Sequence, residues 1–268
     1  MLTSLRISKT AALAACLALS APAVWAQAFD VVRLYGVESR ADSGTIGAAV
    51  VAGRQYQGSD ERRTLLLPVL DYQWKNGWFA GTSNGVGYDF SNTPGMNYGV
   101  RATVDFGRKE SRSSALKGMG DVDVRPELGG FFNYAVTPAL ALTSTLRYGS
   151  GNDRNGLLVD LGAAYTTVLA PQWRLGVGAA ATYANAKYLQ SYFGVTPLQA
   201  TRSAYPVYTP GAGVRDVRVN AALTYVWSPR TVITTGLSVS ALQGDAKDSP
   251  LTRKRTTTTG MVAIAYGF

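Results

Sequence analysis

Residues 257–268, TTTGMVAIAYGF, put Val262, Ile264, Tyr266 and Phe268 on one face of a period-two strand and Ala263, Ala265 and Gly267 on the other. Large apolar side chains point one way and small ones the other. An apolar edge with no Pro or Lys to blunt it invites aggregation, so such a strand has to be paired on both sides. Pairing it with the first strand closes a barrel; the competing reading is the last strand of a soluble sandwich. The aromatic pair Tyr266 and Phe268 also resembles the C-terminal signal by which outer-membrane barrels engage their assembly machinery.

The same alternation recurs upstream. Trp173, Leu175, Val177, Ala179, Ala181 and Tyr183 oppose Arg174, Gly176, Gly178, Ala180 and Thr182. Val217, Val219, Ala221, Leu223, Tyr225 and Trp227 oppose Arg218, Asn220, Ala222 and Thr224, and Tyr98, Val100, Ala102, Val104 and Phe106 oppose Arg101, Thr103 and Asp105. One face is oily and the other polar or small. A sandwich buries the oily face; a membrane barrel turns it to lipid and lines its lumen with the polar one. Periodicity leaves both open, and the connections separate them. Tight Pro-containing turns at Pro138, Pro171 and Pro229 alternate with long polar segments at residues 108–121, 149–155, 185–213 and 243–256. Short periplasmic turns and long outer loops are the habit of outer-membrane barrels.

Strands are predicted over residues 45–53, 64–74, 78–87, 96–107, 122–135, 139–149, 156–169, 173–184, 214–227, 231–242 and 257–268. A bacterial barrel needs an even number, and residues 29–37 supply a twelfth. Residues 65–67, three consecutive leucines, blur the two faces, and the tight turn at 75–77 falls where this parity asks for an outer loop. Trp74, Trp78, Trp173, Trp227, Tyr148, Tyr183 and Phe268 lie near strand ends, where interfacial aromatics belong. The fold expected is all-β: an antiparallel transmembrane barrel of about twelve strands over residues 29–268.

Residues 1–28 read as a secretory signal, with Arg6 and Lys9 basic, 11–21 apolar and Ala26-Gln27-Ala28 a small-residue cleavage site. The residues before Cys16 resemble a lipoprotein box, but the apolar run preceding it is short. Cys16 is the only cysteine, so a chain cleaved after Ala28 has neither disulfide nor thiol site. Cleavage takes two charges from the net +9 and leaves +7, with Lys and Arg scattered. That scatter argues against nucleic acid and suits anionic glycolipid or an acidic cell-wall polymer.

Histidine is absent, which removes Ser-His-Asp and Cys-His devices and imidazole metal sites. No catalytic, cofactor or metal site is expected. Asp121, Asp123 and Glu127 share a predicted inward face with Arg125, the pattern of an ion-pair network or pore lining. The candidate lumen lining is Arg101, Asp105, Asp123, Arg125, Glu127, Asp160, Arg174 and Arg218. Residues 185–213 are too long for a passive hairpin. They carry Tyr188, Tyr192, Phe193, Tyr205 and Tyr208 with three prolines, so the loop should fold on itself or into the barrel mouth, as a plug or as a contact for a ligand or partner.

That loop carries a family resemblance. Residues 188–196, YLQSYFGVT, with Gln199, Ala200, Ser203, Pro206, Tyr208 and Gly213, resemble the MipA/OmpV family of outer-membrane proteins, as do residues 242–250, 56–59, 118–121 and the YGF ending. Ser203-Ala204-Tyr205-Pro206 departs from the Ser-Gly-Leu-Pro form of that family. The resemblance implies a barrel in the outer membrane, in contact with its lipid and acting without catalysis as a scaffold. The implied partners are a lytic transglycosylase and a murein synthase; relatives are linked to adhesion and antibiotic susceptibility. A narrow solute pore is the competing function, and a barrel hydrolase a third. Periplasmic partners are expected at residues 54–63 or 88–95, because the Pro turns are too short to present much surface.

Overall fold

The computed structural model describes residues 42–268, and the predicted signal segment, Cys16 and the predicted strand at 29–37 lie outside them. Twelve antiparallel strands close a barrel: β1 Ser43–Arg54, β2 Arg62–Gln73, β3 Trp78–Gly81, β4 Gly85–Asp89, β5 Met96–Asp105, β6 Arg125–Ala135, β7 Leu140–Ser150, β8 Gly156–Ala170, β9 Trp173–Ala184, β10 Gly213–Ser228, β11 Thr231–Leu242 and β12 Thr256–Gly267. Each strand pairs with its sequence neighbours, and β12 returns to β1 in the register Ala49 to Ala263 and Val50 to Val262. Phe268 and Gly44 complete the seam with reciprocal backbone hydrogen bonds of 2.9 Å.

The closure corrects the expected origin of the twelfth strand. Both edges of β1 are taken, by β12 and β2, so the barrel closes without residues 29–37. The extra strand comes from 78–87, which is a hairpin rather than one strand. Gly81 and Gly85 bracket its turn: Gly85 has φ +76°, and a Cβ on Gly81 would overlap the Asp71 carboxylate. That carboxylate holds the turn through the Ser83 amide at 3.1 Å and the Ser83 hydroxyl at 2.8 Å. The split also resolves the parity conflict. Residues 74–77 now lie at the short-turn end, the periplasmic one in barrels of this kind, and residues 55–61 lie among the outer loops. Residues 54–63 therefore lie away from the short-turn end, and 88–95 lie at it.

The faces follow the period of two. Val262, Ile264, Tyr266, Val50, Leu161, Val219 and Leu237 stand exposed on the outside. An apolar exterior on a closed barrel, with every strand in the ladder, is what a bilayer demands, since unpaired backbone groups are costly in hydrocarbon. Aromatics crowd the short-turn end, where Tyr72 meets Trp74 at 4.8 Å, Trp78 meets Tyr88 at 5.4 Å and Trp173 meets Tyr225 at 4.8 Å; Tyr148 and Tyr183 lie towards the other rim.

One sector departs from regularity. β3 and β4 have only 4 and 5 residues, pairing with β2 at 71–73 and with β5 at 99–102. Above that level no strand stands between β2 and β5. The Thr82 amide donates to the Leu70 carbonyl and the Leu70 N–H donates to the Thr82 hydroxyl, so residues 68, 66 and 64 aim their backbone groups into the same gap. Position 68 is proline, which has no N–H to leave unpaired, as suits a strand edge.

The seam makes a prediction. A Cβ on Gly47 would run into the backbone of Ile264 and Ala265, whereas one on Gly260 meets nothing within 4 Å. Gly47→Ala should therefore abolish the heat-modifiable gel mobility of the closed barrel, and Gly260→Ala should leave it unchanged.

Candidate functional site

Inward side chains of six consecutive strands build a ladder of charge across the lumen. Arg147 on β7 reaches Glu127 on β6 at 3.4 Å and Asp160 on β8 at 3.1 Å. Arg218 on β10 reaches Asp160 at 3.2 Å and Asp216 at 3.5 Å, and Arg215 closes on Asp216 at 2.6 Å. Hydroxyls fill the remaining acceptor sites. Thr182 and Thr145 donate to Asp160 at 2.6 and 3.0 Å, and Thr103 donates to Glu127 at 3.1 Å. Three guanidiniums face three carboxylates, all nearly buried, so the ladder is neutral. Such a set is costly to bury, and it holds only because each charge has more than one partner.

Above the ladder the long loops form a cap. Residues 185–212 carry α1 Ala186–Phe193 and α2 Pro197–Arg202, and the loop after β11 carries α3 Gly244–Asp248. Asn185 starts α1 by accepting from the Tyr188 amide at 2.9 Å and pins it to β8 by accepting from Leu157 N–H at 3.0 Å. A capping box between Thr196 and Gln199, with Pro197 in the first turn, starts α2. Tyr188, Leu189 and Phe193 then bury against Leu158, Ala184, Leu242 and Ala246, while Val195 packs with Met119 and Leu251.

The cap is bolted to the ladder and to itself. The Tyr192 hydroxyl donates to both oxygens of Asp105 at 2.6 Å, and Arg215 donates to the Tyr188 hydroxyl at 3.0 Å. Burial, then the nearby Asp105 charge, pushes the Tyr192 phenol well above its ordinary pKa, so it stays a donor. Burial likewise pushes Tyr188 up to about 12. Arg108 donates to the Tyr192 carbonyl at 2.8 Å, Gln199 to the Met119 carbonyl at 2.6 Å, Tyr205 to the Ala115 carbonyl at 2.9 Å and Tyr208 to the Asp245 carbonyl at 2.8 Å. Tyr56 and Gly58 of the β1–β2 loop bond to Leu251 and Arg253.

Of the lumen candidates read from sequence, the structure gathers Glu127, Asp160 and Arg218 in the ladder and sets Asp105 under the cap. Arg101 lies lower, its guanidinium 5.8 Å from the Phe131 ring centroid. Asp123 and Arg125 pair with one another at 3.3 Å at the outer rim, Asp123 well exposed in the loop before β6, so the shared inward face of Asp121, Asp123 and Glu127 is not formed. Arg174 is exposed at the short-turn opening. Tyr188, Tyr192 and Phe193 form the buried heart of the cap, with Tyr205 and Tyr208 in its upper layer. Arg147, Arg215, Asp216 and Thr182 were not among the sequence candidates. Arg147 sits between outward Leu146 and Tyr148 and Asp216 two places before Arg218, so alternation alone points to both. Arg215 is hidden by a bulge between Val214 and Asp216 that turns Arg215 inward together with Asp216.

A lipid-facing barrel with a charge-paired lumen and an interlocked cap over one mouth is an outer-membrane β-barrel protein. The chain belongs to the MipA family, described as MltA-interacting protein MipA, which matches residues 46–268. No curated protein matches it. Among solved structures it is similar to the NanC porin, at 13% identity over 82% of this chain and 98% of that one with a TM-score of 0.48. It is also similar to the KdgM porin, at 14% over 84% and 99% with a TM-score of 0.44. The translocator domain of the autotransporter NalP from Neisseria meningitidis is similar at 12% over 84% and 88%, with a TM-score of 0.46.

Asp160 is the hinge of the ladder, and Asp160→Asn should lower unfolding stability in lipid vesicles by about 3–5 kcal/mol, because two buried guanidiniums lose their shared counter-charge. Arg174→Gln, at an exposed site, should stay within about 0.5 kcal/mol of the parent in the same urea titration.

Proposed function

We propose that this protein is a non-catalytic outer-membrane scaffold, held in lipid by its apolar exterior, delivered there through its C-terminal strand and presenting its short-turn face to enzymes of murein turnover. The observation that carries the reading is the cap. Tyr192 on Asp105, Tyr188 on Arg215 and four interlocked loops lie over the mouth that a solute pore would use, and the ladder beneath them leaves its charges satisfied by one another. Family membership supplies the partner class. Its description names interaction with the murein enzyme MltA, and the partners read from sequence are a lytic transglycosylase and a murein synthase. The contact surface on this chain is the turn at residues 88–95, where Asp89 accepts from the Asn97 amide and Ser91 N–H, and exposed Phe90 stands beside Tyr88. The Tyr266 and Phe268 end is the segment offered to the assembly machinery.

Two measurements divide the scaffold from the pore. In planar bilayers the intact chain should show no steady conductance, and removing residues 186–209 should open it; steady conductance by the intact chain would favour the pore. Affinity capture from solubilised envelope, read by mass spectrometry, should retain a murein enzyme. Phe90→Ala with Asp89→Ala should lose it, while Arg62→Glu with Arg63→Glu, on the opposite face of the membrane, should keep it.

A further inference from the structure

The lumen of an outer-membrane barrel is ordinarily polar. Here three adjacent strands break that rule. Ala49 and Val51 on β1, Leu65, Leu67 and Val69 on β2, and Met261 and Ala263 on β12 point inward and form one apolar wall on the side away from the charge ladder. The three leucines at 65–67 are explained by this: Leu66 faces outward, 72% exposed, and its neighbours face in. The wall ends in charge. Arg63 is the next inward position above Leu65, so from Val69 to Arg63 the stripe rises about 20 Å at about 3.4 Å per residue.

At that upper end the loop between β5 and β6 brings Arg112 into the neighbourhood of Arg63. The Ser113 hydroxyl donates to Glu61 at 2.9 Å, tying together the neighbours of the two arginines. Nη1 of Arg63 and Nη1 of Arg112 are buried, and neither has a hydrogen-bond partner or an ion pair among the described residues. The acids in the vicinity are engaged elsewhere. Glu61 accepts from Ser113, and Asp121 accepts from Lys109 Nζ and the Glu110 amide, each at 2.8 Å. Burial, and then the charge of Arg63, lowers the pKa of Arg112, with Asp121 offsetting part of the effect. Both features border the gap above the β3–β4 hairpin, where the edge of β2 turned away from β1 has no strand partner and position 68 is proline.

We propose that this gap opens sideways onto a binding site for a single-chain anionic amphiphile of the fatty-acid kind, its head held between Arg63 and Arg112 and its chain laid on the wall of Leu65, Leu67 and Val69. The two half-buried guanidiniums supply the charge complement that an anionic head requires, and the wall supplies the apolar surface that a free ion does not use. The site is independent of any murein partner, so capture of such an enzyme neither supports nor opposes it.

The test uses the full chain in phosphatidylcholine nanodiscs, with radiolabelled dodecanoate as probe and empty nanodiscs as background. Saturable binding of one dodecanoate per barrel is expected. Its affinity should fall about tenfold or more in Arg63→Gln with Arg112→Gln, and likewise in Leu67→Asn. Arg63→Lys with Arg112→Lys should retain most of it. Heat-modifiable mobility on gels establishes that each variant is folded. Dodecyl phosphate should compete and methyl dodecanoate should not. Absence of saturable binding, equal competition by the methyl ester, or unchanged affinity in the folded double Gln variant overturns the proposal. Displacement by inorganic phosphate at the concentration at which dodecanoate itself binds overturns it too, since the wall would then contribute nothing.

Discussion

Backbone hydrogen bonding in hydrocarbon is the constraint from which the rest follows. A strand in a bilayer has no water to satisfy its N–H and C=O groups, so the sheet has to close. It closes where β12 meets β1, through a register that places Ala49 beside Ala263 and brings Phe268 back to Gly44. Closure fixes which way every side chain points, and period-two sequence then sorts oil from charge with no further instruction. The one sector that escapes full pairing, between β2 and β5, carries a proline at its edge and an apolar inner wall beside it.

Closure also confines the polar faces to a narrow space. Charged groups brought there lose water, and each must find protein partners. Asp160 does so four times over, with Arg147, Arg218, Thr182 and Thr145, and the ladder that results is neutral as a whole. The cap uses the ends of this ladder as anchors. Asp105 takes Tyr192 and Arg215 takes Tyr188, so the loops are held by buried, charge-assisted bonds rather than by surface contacts alone. The lumen ladder and the anchoring of the cap over the barrel's mouth belong to one network.

Much of this could be read from residues alone. The later strands, from β7 onward, match their alternation closely, because each presents uninterrupted large-and-small patterning bounded by Pro turns. The early half was harder. Gly81-Thr82-Ser83-Asn84-Gly85 carries the turn chemistry of a hairpin, yet Trp78, Phe79, Val86 and Tyr88 on either side read as one continuous strand. Taken as one strand, that segment shifts the first strand to 29–37 and residues 54–63 to the short-turn side, whereas the hairpin places them among the long loops. In the lumen, Glu127, Asp160 and Arg218 were readable because their neighbours are plainly apolar. Arg215 was not, since a bulge is set by tertiary fit and leaves no mark in the alternation. Nor does local sequence reveal that Asp121 and Asp123 precede the start of β6.

The central claim is that apolar side chains meet lipid while their alternates face an enclosed interior. Single cysteines placed in turn at positions 258–267 of a chain whose only other cysteine is Cys16, spin-labelled in vesicles, test it directly. Collision with oxygen should peak at 262, 264 and 266, and collision with a water-soluble nickel chelate should not. If the nickel probe reaches those three positions as readily as oxygen does, the barrel is not embedded as described here.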